Sequence, residues 1–295
     1  MPRPSHTVRL PSGQVIEYGE YGDLNGSPVL FFHGWPSSQR MAEIMDPAAK
    51  KLNCRIIAPN RPGIGKSTPI ENWNLISWAP LVLQFAETLG LRSFSVLGVS
   101  GGGPYALAVA AELPDQVISA GMVSSAPPLA DFDDRQGLHP AYRILIRMLR
   151  HSPWMIPPTL AAAKLISKCP PWRFPMSLIL KTLNKPDKIA LCDKSVSGIV
   201  MRGFWEAAAG GTEKVISDAE VYLQKWDIDF EAIQCPSIFW HGEQDRNIPA
   251  RMTTHLASQV PGAEMRLLPD DGHFSPCVNL DEEILQVLLA SHPGR

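Results

Sequence analysis

Short apolar runs alternating with amphipathic stretches set the pattern of this 295-residue chain. Val8 to Tyr21 (VRLPSGQVIEYGEY) alternates apolar and polar positions on both sides of Pro11-Ser12-Gly13, as an antiparallel hairpin does. Pro28 to Phe32, Arg55 to Ala58, Phe94 to Leu97, Val117 to Val123, Ser237 to Trp240 and Glu264 to Leu268 are compact apolar runs, the form expected of strands buried on both faces. Helical periodicity fills most of the gaps between them, at Ala42 to Leu52, Ser77 to Leu89, Pro104 to Leu113, Ala250 to Gln259 and Asp281 to Ala290. The alternation predicts an α/β fold whose mostly parallel central sheet is flanked by helices on both faces.

The rhythm breaks after the sixth strand. From about Ala126 to Trp226 the chain carries helix-like segments and no strand pattern, punctuated by Pro127-Pro128, Pro157-Pro158, Pro170-Pro171 and Pro186. The expectation is a helical cap, residues 126–226, inserted in a core made of 1–125 and 227–295. Its helices are predicted at Pro140 to Arg150, Leu160 to Lys168, Pro175 to Leu183, Lys188 to Ala209 and Glu213 to Lys225. Trp154, Met155, Trp172, Phe174, Phe204 and Trp205 supply its bulk. Most of these should pack the cap onto the core, and a minority should face a ligand.

The chemistry starts at Gly98-Val99-Ser100-Gly101-Gly102, between the run Phe94 to Leu97 and the small-residue helix PYALAVAAE at Pro104 to Glu112. Glycines around a serine on a tight strand-to-helix turn describe a nucleophile elbow, where strain exposes the hydroxyl. Such a hydroxyl needs a base and a carboxylate that orients the base. Asp245 lies in the loop beyond Ser237 to Trp240, and His273 in the loop beyond Glu264 to Leu268. In a parallel sheet both loops open on the rim that holds the Ser100 turn. Asp131, Asp133 and Asp134, after the sixth strand, compete for the acid's place, whereas Asp270 and Asp271 read as turn formers. His33 and His241 each precede a glycine at a strand end and read as loop-organising residues. His139, His151, His255 and His292 read as surface or helix residues.

Composition narrows the field. With 45% hydrophobic residues the chain can bury a large core, and a net charge of -2 with scattered lysines and arginines offers no basic stripe for nucleic acid. No segment reaches the roughly 18 apolar residues of a membrane helix, and the stretch Met1 to His6 lacks a signal peptide's apolar core. A soluble, cytoplasmic protein is expected. The five cysteines have no CxxC spacing and read as free thiols, and there is no HExxH, phosphate loop or dinucleotide fingerprint. The expectation is catalysis without a metal or cofactor.

Several linked motifs carry a resemblance: HGWPSS at His33 to Ser38, RPGIGKS at Arg61 to Ser67, GVSGGG at Gly98 to Gly103, HGEQDRNIP at His241 to Pro249, and DGH at Asp271 to His273. Over Thr7 to Ala290, most weakly through the cap, the chain resembles the α/β-hydrolase fold superfamily. That resemblance implies Ser100 as nucleophile, His273 as general base and then acid, and Asp245 rather than the Asp131 cluster as the orienting carboxylate. It also implies an oxyanion hole formed by the backbone N–H groups of Trp35 and Gly101. Asn60 stands where relatives often carry Asp. Substrate contacts are expected from Trp35, Trp154, Met155, Phe204, Trp205 and Phe274. The implied reaction is hydrolysis of a small or medium apolar ester, or related acyl compound, through an acyl-enzyme. Carbon–carbon, lactone or thioester hydrolysis, a cyclase or lyase reaction, and a small-molecule receptor share the same residues. Epoxide hydrolases and haloalkane dehalogenases place Asp at the elbow, so Ser100 argues against both.

Overall fold

Eight strands form one sheet in the computed structural model, which describes residues 5–129, 136–155, 158 and 183–292. They are β1 (His6–Arg9), β2 (Val15–Gly22), β3 (Ser27–Phe32), β4 (Cys54–Pro59), β5 (Phe94–Val99), β6 (Val117–Val123), β7 (Ser237–Gly242) and β8 (Glu264–Leu268). Their order across the sheet is β1-β2-β4-β3-β5-β6-β7-β8. The β1–β2 and β2–β4 pairs are antiparallel and the rest are parallel. The register sets Phe32 opposite Gly98 and Val99 opposite Val123, so the loops after β3, β5 and β6 leave from one rim.

The parallel strands send alternate side chains to two cores, as the two-residue period of a strand requires. Leu30, Phe32, Val96, Met122 and Phe239 point to one side, against α2 (Trp78–Thr88), α3 (Gly103–Glu112) and α8 (Ala250–Ser258). Val29, Phe31, Leu97, Val123 and Trp240 point to the other, against α1 (Asp46–Lys51) and α10 (Asp281–Leu289). The short α9 (Ser275–Asn279) lies between β8 and α10. The helix expected at Ala42 to Leu52 is instead a 3₁₀ segment, Gln39–Met45, followed by α1. Pro47, in the first turn of α1, has no N–H to continue the preceding ladder. Asn60 is buried, accepting the Gln39 N–H and donating to Glu17, so its amide serves the packing of this corner.

Between β6 and β7 lies the inserted helical region. It contains α4 (Pro140–His151), α5 (Lys185–Cys192), α6 (Lys194–Ala209) and α7 (Thr212–Glu220). The single helix expected over Lys188 to Ala209 is broken at Asp193, whose carboxylate accepts the Ser195 N–H at 2.7 Å and caps α6. The segment expected over Glu213 to Lys225 tightens after Glu220 into a 3₁₀ turn, Val221–Leu223. The expected helices at Leu160 to Lys168 and Pro175 to Leu183 lie outside the described residues except for Leu183, as do Trp172, Phe174, Asp131, Asp133 and Asp134.

Candidate active site

Ser100 stands at the carboxyl end of β5 with a φ of 52°, the left-handed region that costs a non-glycine residue about 1–3 kcal/mol. A 3₁₀ turn, Ser100–Gly102, leads directly into α3, whose Pro104 occupies the first turn where its missing N–H is harmless. The turn is tight enough that a Cβ on Gly98 would run into the Gly102 carbonyl and one on Gly102 into the Phe32 carbonyl. The Ser100 carbonyl accepts the Ala126 N–H at 2.8 Å, which ties the elbow to the segment that follows β6.

His273 reaches both partners from the loop after β8. Its Nε2 is 3.0 Å from Ser100 Oγ and its Nδ1 is 2.7 Å from Asp245 Oδ2. A carboxylate at Nδ1 holds the proton there and leaves the Nε2 lone pair for the hydroxyl. Asp245 is fixed in turn. Its Oδ1 accepts the N–H groups of Asn247 at 2.6 Å and Ile248 at 2.9 Å, and its Oδ2 also faces His241 Nε2 at 3.3 Å. Burial works against the charge of Asp245, but His273 and the hydrogen bonds from His241 and His273 outweigh it and hold the carboxyl far below the usual carboxylate range. Burial likewise works against a charged His273, and Asp245 again outweighs it, raising the imidazole above its ordinary value.

His241 and His33 organise loops. His241 Nε2 donates to the Ile248 carbonyl at 3.0 Å, and its buried Nδ1 has no partner among the described residues. His33 Nδ1 donates to the Gly34 carbonyl at 2.9 Å; burial and then Arg61 push its affinity for a proton well below normal. His139 caps α4 by accepting the Ala141 N–H at 3.2 Å. His292, expected at the surface or on a helix, is buried against Ser95 at 2.8 Å, near the opposite end of the strands.

Beside the elbow runs the loop His33-Gly34-Trp35-Pro36, with a cis Trp35–Pro36 bond. Trp35 and Gly101 both border the cavity at Ser100, and the Trp35 indole donates to the Val215 carbonyl of α7 at 2.8 Å. Arg61, buried beneath this loop, donates to the carbonyls of His33 and Gly34 and forms two bonds with Asp218 of α7, at 2.8 and 2.7 Å. Tyr105 also donates to Asp218 at 2.9 Å, and its ring lies 4.7 Å from the guanidinium carbon. The RPGIGKS motif marks Arg61 in the sequence, but nothing there pairs it with an aspartate 157 positions away.

The cavity holds about 540 Å³ of empty space including its open mouth. Leu129, Leu138, Leu145, Ile146, Leu223 and Ile248 line it, and Ser100, Tyr142 and Tyr222 bring hydroxyls to it. Tyr222 donates to the Gly101 carbonyl at 2.9 Å. Burial, with a contribution from Asp245, pushes the Tyr142 hydroxyl up to about 12.

Of the residues expected to touch substrate, Trp35 borders this cavity, and the others are absent from its described lining. Trp154 is 75% exposed, and Met155 and Trp205 are exposed as well. Phe204 is half-buried on α6. Phe274 stands edge-on to the His273 ring, 5.1 Å between centroids, and packs toward Leu183, Leu191 and Val196. The buried face of α6 uses Val196, Ile199, Gly203 and Ala207, and this spacing leaves Phe204 and Trp205 off it. Part of the lining could be read from spacing instead: Tyr142, Leu145 and Ile146 share one face of α4, while Leu138 precedes that helix and Tyr222 and Leu223 lie in the 3₁₀ turn after α7.

Among the described residues no group of His, Cys, Asp and Glu side chains is arranged to hold a metal ion, and no helix is long and apolar enough to cross a membrane.

Sheet order, elbow and a serine joined to an imidazole and a carboxylate define an α/β hydrolase. A family model described as alpha/beta hydrolase fold matches residues 27–279, and the chain belongs to that family, a hydrolase-family enzyme. A non-heme haloperoxidase of Rhodococcus erythropolis is 24% identical over 285 residues, 93% of this chain and 94% of that protein. A bifunctional esterase/perhydrolase of Acinetobacter calcoaceticus is 32% identical over 124 residues, 41% of this chain and 45% of that protein, so the similarity spans less than half of either. The crystal structure of a bromoperoxidase from Bacillus anthracis superposes with a TM-score of 0.71 at 22% identity, covering 97% of this chain and 100% of that one.

Proposed function

We propose that this enzyme is a serine hydrolase that cleaves small or medium, largely apolar esters through an acyl-enzyme. The observation that carries the reading is the continuous contact from Ser100 through His273 to Asp245 at the floor of an apolar cavity. In this reading Ser100 Oγ attacks the ester carbonyl while His273 Nε2 takes its proton, and Asp245 stabilises the imidazolium that forms. The N–H groups of Trp35 and Gly101 receive the negative oxygen, a contribution of about 3 kcal/mol for each well-aimed donor. His273 then protonates the departing alcohol, and water repeats the sequence to release the acid. The aliphatic walls favour a hydrocarbon acyl chain over a charged one, because a charge placed there would lose its hydration without a partner. The esterase/perhydrolase among the relatives is in keeping with this chemistry.

The test is hydrolysis of 4-nitrophenyl esters of increasing acyl length, together with covalent labelling by a fluorophosphonate. Ser100→Ala should abolish both while leaving thermal melting unchanged. Turnover that survives Ser100→Ala would overturn the reading, and tight ligand binding with negligible turnover in the unaltered protein would favour a receptor.

A further inference from the structure

The inserted region reaches past the cavity to the two loops that carry the acid and the base. Its helix α5 starts at Asn184, whose Oδ1 accepts the Asp187 N–H at 2.8 Å and whose Nδ2 donates to the carbonyl of Gln244, next to Asp245. Asp187, in the first turn, is 1% exposed and turns its carboxylate away from its own helix. Oδ2 accepts the His273 N–H at 2.8 Å. Oδ1 accepts the N–H of Phe274 at 2.7 Å and of Ser275 at 3.0 Å. Three consecutive backbone donors, starting at the base itself, therefore end on one buried side chain from another part of the fold. The approach is close enough that a Cβ on Gly272 would run into Asn184 and Asp187, and the Gly272 N–H is bound by Ser275 Oγ at 2.8 Å.

We propose that Asp187 is a positioning residue for the reaction: a carboxylate of the inserted region that fixes the main chain at His273, so that the imidazole meets Ser100 and Asp245 together. The inserted region then assembles the site as well as roofing it. The inference rests on the assignment of Ser100 and His273 as nucleophile and base. Anchoring the N–H fixes the Cα of His273, from which the ring must span to two partners at 3.0 and 2.7 Å, and a misplacement of about 1 Å costs roughly 100-fold in rate. A second effect is electrostatic. The charged and titratable groups that act on His273 are Asp245, Asp187 and His139, with His241 reaching it through Asp245; after burial and Asp245, Asp187 adds to the imidazole's hold on its proton.

The test compares Asp187→Asn with the unaltered enzyme on a 4-nitrophenyl ester. Asn keeps the size but loses the charge and one acceptor. Expected are a fall in kcat of about 10- to 100-fold, a KM within about threefold of the unaltered value, and an acid limb of kcat/KM moved to lower pH. Unchanged kcat with an unmoved limb overturns the proposal. So does a loss carried equally by KM and kcat with an unmoved limb, which marks a merely structural role. Should Asp187→Asn fail to fold, Asp187→Glu carries the test: it keeps the charge but displaces the loop, so kcat should fall while the limb stays, and an unchanged kcat overturns the proposal. Ser100→Ala and His273→Ala run beside these separate the two levels. If either retains the full rate, the underlying reading fails; if both are dead and Asp187 variants are unimpaired, only the positioning role fails.

Discussion

Asp245 receives hydrogen bonds from the N–H groups of Asn247 and Ile248 and from His273, and faces His241 as well, so its negative charge is stabilised before any substrate arrives. Its depressed proton affinity stabilises the folded protein above the ordinary carboxylate range, and that contribution is lost as pH falls through the lowered value. His273 has the opposite sign. Its raised value stabilises the fold below pH of about 6.5, and the contribution is lost as pH rises through that value. For activity the proposed base must be neutral, so kcat/KM should rise with pH along one ionisation centred above about 6.5, measured on an ester whose own hydrolysis is subtracted. A limb centred below pH 6 would contradict the coupling of His273 to Asp245. At this scale the serine, the acid and the imidazole were legible in the sequence, because each sits in a short local pattern at a strand end. Asp187 was not, because its partners lie on a loop 86 to 88 residues further along and only the fold brings them together.

Among the elements, α7 ties the insertion to the Trp35 loop and to the cavity at once. One of its residues, Asp218, pairs with Arg61 below the Trp35 loop; Ala219 lines the cavity; the Val215 carbonyl takes the Trp35 indole. Burial works against the Arg61 charge, but Asp218 more than offsets it and holds the guanidinium protonated. Removing one partner of a buried pair leaves the other uncompensated, so Asp218→Ala should lower the unfolding free energy by about 3–5 kcal/mol in urea denaturation. A loss below about 1 kcal/mol would mean that water or a neighbour replaces the carboxylate. Six strands were legible as apolar runs and two as the alternating hairpin, and α2, α3, α8 and α10 were legible to within a residue at each end; the short α9 was not, and Pro47 splits the run that ends in α1. The inserted helices were less legible. Asp193 breaks one run by capping the next helix, a local hydrogen-bond effect that apolar spacing does not report. Bulk misled in the same region: the large aromatics Trp154 and Trp205 face solvent, while the smaller Leu145 and Ile146 line the cavity.

At the level of the whole molecule, the cavity is built by two parts of the chain. The core supplies Ser100, Gly101, Trp35 and Ile248, and the insertion supplies the opposite walls. Acyl selectivity should therefore change through the insertion without disturbing the elbow. Leu145→Trp should lower kcat/KM for an octanoate ester by about 10- to 100-fold relative to acetate, since each methylene that fails to fit costs about 1–3 kcal/mol. An unchanged ratio across the ester series would place the acyl chain elsewhere.

Strands β6 and β7 remain hydrogen-bonded neighbours, from Ala120–Ser237 to Val123–Trp240, although 113 residues separate the end of one from the start of the other. The seam is thus closed by the sheet itself, and the loop could be exchanged for that of a related hydrolase to graft new selectivity. The donor must bring an acid to the place of Asp218, or Arg61 becomes a stranded cation in the interior. It must also bring an acceptor to the place of Asp187, or three peptide groups lose their partner. Compatibility between scaffold and graft should then be decided by these two acids more than by overall sequence likeness.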